Sequence, residues 1–123
     1  MPDEPTDSTD STADATAETR IALLRQLAAE SPDDATTHFL LGRELLAHGH
    51  AVEAMGAFED AIRVEPDYAA AYRQLGNAME AAGRREAAAE TYRRGIAVAE
   101  RTNDLQAGKE MAAFLKKLAR EGV

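Results

Sequence analysis

Apolar residues recur at spacings of three and four along most of the chain after residue 16, a period that gathers them onto one face of successive helices. Between Ala17 and Glu30 those positions are Ile21, Leu24, Leu27 and Ala28, with Arg20, Arg25 and Glu30 on other faces. Ser31-Pro32-Asp33-Asp34 ends that helix and offers carboxylates to cap the next. A second helix is predicted over Ala35 to Ala47, with His38, Leu41, Gly42 and Leu45 inward and Gly49 permitting the turn beyond it. A third, Ala51 to Val64, presents Ala54, Phe58, Ala61 and Ile62 to that stripe. Glu65-Pro66-Asp67 then closes the unit, because proline cannot continue a helix and Asp67 can cap the next one.

This helix pair is copied downstream. Leu41-Gly42 returns as Leu75-Gly76, Gly49 as Gly83, Ala54 as Ala88, Phe58 as Tyr92, Ile62 as Ile96 and Val64 as Val98, each pair 34 residues apart, and Pro32 precedes Pro66 by the same interval. A fixed period of that size marks a supersecondary unit stacked on its own copies. Tyr72, Leu75, Gly76 and Met79 form the inner stripe of the second copy's first helix, facing Ala88, Tyr92, Gly95 and Ile96. Glu100 replaces the second proline, so this helix is expected to run on to Arg101 and Thr102 before Asn103-Asp104 caps a last one. Leu105, Met111, Ala112, Leu115 and Leu118 make the apolar stripe of that final helix, and Lys116, Lys117 and Arg120 suit its negative C-terminal end. An interior helical glycine is costly unless something needs its space, and the last helix is the expected claimant at Gly95.

In these residues the chain resembles the tetratricopeptide repeat (TPR) family. His38, Leu41, Gly42, Leu45, Ala54, Phe58 and Pro66 meet the family's pattern once, and Tyr72, Leu75, Gly76, Met79, Ala88 and Tyr92 meet it again. His38 stands in place of tryptophan, Leu45 and Met79 in place of tyrosine. The resemblance implies an all-α, right-handed solenoid of antiparallel helix pairs, about six helices in all, since roughly three repeats' worth of stacking is needed to bury a continuous core. The expected organisation is an acidic tail over residues 1–16 and a repeat domain over 17–121. The domain divides into an N-terminal helix (17–30), repeat 1 (35–68), repeat 2 (69–102) and a capping helix (103–121).

Composition narrows the function. The formal net charge is -8, and Asp3, Glu4, Asp7, Asp10 and Asp14 fall within the first sixteen residues without one Lys or Arg. That stretch has no large apolar residue beyond Met1, so it is expected to be disordered. Acidity argues against nucleic acid, which wants a basic stripe. Cysteine is absent, which excludes disulfides and thiol nucleophiles. No apolar run approaches a membrane span and no signal-peptide pattern appears, so the expected setting is the cytoplasm. His48-Gly49-His50 reads as a turn and His38 as a core residue, so no metal or other cofactor is expected. No activated serine or phosphate loop is found, and the expectation is a protein that is not an enzyme.

The resemblance further implies a concave groove lined by the first helix of each pair. There the candidate binding residues are Phe39, Arg43 and Leu46 in the first copy and Arg73, Asn77 and Glu80 in the second, each trio held on one side of its helix by spacings of four and three. Phe39 and Leu46 are either anchors for a peptide or covered by the helix over 17–30. Arg73 and Asn77 are similar to the basic-plus-amide pairs with which some co-chaperone members hold a terminal carboxylate, although Glu80 shares their face; the alternative is a solvated polar face. The expected function is non-catalytic binding of a peptide or helical segment of a partner protein. The alternative is a self-associating subunit, so the chain is expected to be a monomer or a weak homodimer.

Overall fold

Six helices begin and end at the breaks in the sequence. The computed structural model describes residues 5–122, with side chains from Thr16 onward. In it α1 runs Pro5–Glu30, α2 Ala35–Ala47, α3 Ala51–Val64, α4 Ala69–Ala81, α5 Arg85–Thr102 and α6 Leu105–Arg120, with no strand among the described residues. Asp34 caps α2, its carboxylate accepting from the Thr36 and Thr37 backbone N–H groups at 3.1 and 3.3 Å. Gly49 and Gly83 take φ of 85° and 79° in the turns after α2 and α4, where a side chain would be strained. Loss of the second proline lets α5 run through Thr102. Asn103 then turns left-handed at φ 59°, and Asp104 caps α6 by accepting from the Ala107 N–H at 3.1 Å.

Three local expectations are corrected. First, α1 starts at Pro5, so residues 5–16 of the acidic stretch are helical. Proline at a first helical position gives up only a donor the helix would not have used; Met1–Glu4 lie outside the described residues. Second, Asp67 does not cap α4: Tyr68 holds the cap position without a side-chain bond, and Asp67 pairs instead with the Arg101 guanidinium of α5. Third, Leu27 and Leu105 are 42% and 67% exposed, and Ala112 is exposed with them. All three lie on the end helices, each of which lacks the neighbour that buries the same face of an internal helix. The buried stripes there are Ala17, Ile21 and Ala28 on α1, and Ala107, Met111 and Leu118 on α6.

Within each pair the helices meet at very short range, α2 on α3 and α4 on α5; α3 packs on to α4, α5 on to α6, and α1 covers α2. The close approach is made at glycines. A β-carbon at Gly42 would lie 2.5 Å from the Phe58 ring and one at Gly76 2.1 Å from the Tyr92 ring, and both rings are fully buried. One core cluster surrounds Phe58, Leu45 and Ile21 and another surrounds Tyr92, Met111 and Leu118, with Ile62 and Met79 touching both. His38 is buried in the first stripe with Nε2 2.8 Å from the Pro32 carbonyl oxygen. A carbonyl only accepts, so Nε2 carries the proton.

Gly95 makes room for α6 and for its own partner helix. A β-carbon there would lie 2.4 Å from Met111 Sδ and 2.7 Å from Tyr72 Cβ. The sulfur can swing aside, but a Cβ moves only with its backbone. Gly95→Leu should therefore cost about 1–3 kcal/mol or more and lower the melting temperature sharply. Gly56, on the exposed side of α3, has nothing within 4 Å of its would-be β-carbon. Gly56→Ala should stabilise by about 0.5–1 kcal/mol. Chemical denaturation of the two variants checks the contrast, and an unchanged Gly95→Leu protein would remove the claim of α6 on that space.

Candidate functional site

The first helices of the pairs and the last helix stand in a row, α4 touching α2 on one side and α6 on the other. The candidate residues Phe39, Arg43 and Leu46 lie along α2 and Arg73, Asn77 and Glu80 along α4, in two different conditions. On α4 every candidate is engaged. The Arg73 guanidinium pairs with Glu110 of α6, and Glu80 pairs with Lys117 of α6 at 3.2 Å. The Tyr92 hydroxyl of α5 donates toward Asn77 Oδ1 at 2.8 Å and Glu80 Oε2 at 2.5 Å. One proton serves both oxygens, and the charged acceptor holds the shorter contact. The structure thus brings Arg73, Asn77 and Glu80 together as half of a polar seam, and the carboxylate beside Arg73 is the chain's own.

The seam shows in the titration of its members. Hydrogen bonds from Gln106 and then Arg73 hold the Glu110 carboxyl below its ordinary value of 4.5. Burial, followed by the hydrogen bond to Glu80 and the charge of Glu80, pushes the Tyr92 hydroxyl well above the usual tyrosine range.

On α2 the arrangement is aromatic. Phe39 is only 9% exposed, its ring stacked on Tyr68 with centroids 4.9 Å apart and edge-on to Phe58 at 5.8 Å. Part of its cover is thus the residue just before α4. Arg43 is exposed with its guanidinium 5.9 Å from the Phe39 ring centroid, within cation–π range. It has no carboxylate partner among the described residues. Leu46 is half-buried against the first core cluster. The remaining histidines sit outside this face, His48 3.5 Å from Glu44 and His50 3.9 Å from Glu18.

Sequence reasoning missed Tyr68, Glu110 and Lys117. A signal for the last two exists: Arg73 and Glu80 stand seven apart on α4, Glu110 and Lys117 seven apart on α6, with opposite signs at each level. Arg73 and Glu110 are 37 residues apart, off the 34-residue repeat, so a search in strict phase passes over the match.

A row of antiparallel helix pairs packed in sequence order defines an α-helical repeat protein. Residues 14–99 match the model of the tetratricopeptide repeat family, and the chain belongs to that family. A TPR repeat-containing protein of Pseudomonas aeruginosa is 36% identical over 97 residues, covering 79% of this chain and 92% of the relative. A Bordetella parapertussis protein solved in solution is 30% identical with a TM-score of 0.72, over 82% of this chain and 88% of that one. The TPR2B domain of yeast Sti1, solved in complex with pHsp70, shares the fold at a TM-score of 0.79 and 17% identity, over 92% and 90% of the two chains. Domains of this family generally mediate protein–protein interaction and are generally non-catalytic.

The seam gives a pH prediction. A carboxylate held below its ordinary value stabilises the fold fully above that value, and the contribution is lost as pH falls through the lower folded value. Glu110→Gln should therefore melt below the wild type at neutral pH, with the gap closing as pH drops through and below 4.5. Thermal melts across the acid range check this, and a gap that stays constant would contradict it.

Proposed function

We propose that the face built from α2, α4 and α6 holds a peptide or helical segment of another protein, with no chemistry performed on it, and that the α2 end supplies the recognition. The observation that carries this reading is Arg43: an exposed guanidinium, free of any carboxylate partner among the described residues, standing over the Phe39–Tyr68 stack beside Leu46. A cation on an aromatic shelf suits a segment that offers a carboxylate next to an apolar side chain. Arg73, Asn77 and Glu80 form the wall of the same groove, already neutralised by Glu110 and Lys117. The fold shared with the Sti1 domain, which is solved in complex with pHsp70, is compatible with a ligand drawn from another protein.

Peptides selected from a displayed random library against the wild-type protein supply the test. Backbone NMR shifts on binding are expected at Phe39, Arg43, Leu46 and Tyr68, and Arg43→Glu should weaken binding about tenfold or more, the loss of one charge-assisted contact. Binding that ignores Arg43→Glu, or shifts confined to α3 and α5, would refute the groove.

A further inference from the structure

The two ends of the stack are complementary halves of one missing repeat. Within a complete pair the second helix meets its own first helix at three observed places. The Tyr92 ring lies on Gly76, Gly95 lies against Tyr72 Cβ, and the Thr91 hydroxyl sits 3.2 Å from the Met79 sulfur. Since Pro32 keeps the repeat spacing before Pro66, α1 is itself a second helix in the same phase. Its Leu24, Leu27 and Leu23 stand where Tyr92, Gly95 and Thr91 stand in α5. Those places are buried in complete pairs: Ala57, Ala61, Thr91 and Gly95 are all covered. On α1 they are open, with Leu23 54% exposed, because no first helix packs against that face among the described residues.

The helix α6 is the converse, a first helix without a second. Its cap Asp104 comes two repeats and two further residues after Asp34, a shift that puts Gly108, Ala112 and Leu115 where Tyr72, Gly76 and Met79 stand in α4. Burial agrees with that register, since Ala107 and Met111 are buried as Ala71 and Leu75 are. Gly108, Ala112 and Leu105 border an open cleft of about 280 Å³ against Ile96 and Ala99 of α5. At the other end Leu24, Leu40 and Ala47 border a cleft of about 290 Å³ between α1 and α2.

We propose that this protein stacks head to tail on a second copy of itself, α6 of one chain and α1 of the next forming the helix pair that each end lacks. Side-chain sizes trade across the two halves. Tyr72 against Gly95 becomes Gly108 against Leu27, and Gly76 against Tyr92 becomes Ala112 against Leu24, so at two of the three places a bulky residue meets a small one, with the sides exchanged in the first, while Leu115 meets Leu23 at the third. Antiparallel pairing in that register sets Arg120 of α6 level with Glu18 of α1, and Lys116 level with Arg20, whose guanidinium is already paired with Glu44. Such a contact joins unlike surfaces, so it repeats into open chains or rings and does not stop at a symmetric dimer.

Light scattering and sedimentation over rising concentration test it with two blocked variants. Leu23→Glu with Leu27→Glu closes the α1 end, and Leu105→Glu with Ala112→Glu closes the α6 end; all four positions are exposed, and circular dichroism checks that each variant keeps its helices. The wild type is expected to grow past two chains with concentration. Each variant alone should remain a single chain, and an equal mixture should give a particle of two chains, since each retains one good end. A wild type that stays a single chain at millimolar concentration overturns the proposal and leaves the ends to helices of other proteins. A mixture that fails to pair, or a variant that still associates alone, overturns it as well. None of the four positions belongs to the groove, but Arg43 also borders the α1-end cleft, so peptide binding is measured on the blocked single chains as well as on the wild type.

Discussion

The structure depends on an aromatic ring resting on bare backbone. Phe58 and Tyr92 are buried completely because Gly42 and Gly76 present no side chain to hold them off. Burying a ring of that size contributes about 1.5–3 kcal/mol, and the absence of a β-carbon brings the two helix axes close enough for the smaller stripe residues, Ala54, Ala61 and Ala88, to pack fully. Because the two contacts are 34 residues apart, the second pair is placed on the first in a fixed register. The row of α2 and α4 follows that register, and α6 joins it two residues out of phase.

Tyr92 ties the core to the surface. Its ring fills the space over Gly76 while its hydroxyl reaches Asn77 and Glu80, so the packing of the second pair also fixes these polar groups of α4. Glu110 and Lys117 then pair with Arg73 and Glu80 across the α4–α6 junction. The seam orders these α4 side chains, while Arg43 on α2 has no carboxylate partner among the described residues. A repeat stack has no closed surface of its own, and here the two unfinished faces are apolar, with small residues on α6 and leucines on α1.

Much of the fold was legible because helical period and repeat spacing report backbone geometry directly. Leu41, Gly42, Phe58, Leu75, Gly76 and Tyr92 all sit where their spacing puts them. The demand on Gly95 was legible for the same reason, although Tyr72 shares it with Met111. What escaped depends on neighbours that periodicity does not count. Leu27, Leu105 and Ala112 belong to apolar stripes, but burial needs a helix on the far side, and the ends have none. Of the six candidate residues, Arg73 and Glu80 are taken up by α6, and Phe39 is covered by Tyr68, a loop residue that no stripe includes. The two-residue slip introduced before Asp104 hid the partners of Arg73 and Glu80, because α6 no longer reads in phase with α4.

The most direct measurement is a double-mutant cycle at the glycine–ring contact, Gly76→Ala and Tyr92→Leu, read by chemical denaturation. Gly76→Ala alone should cost about 1–3 kcal/mol through overpacking, and much less once the ring is replaced by the smaller leucine, giving a coupling of about 1 kcal/mol or more. Strictly additive losses would show that the helices do not depend on this contact, and the register of the whole stack would need another cause.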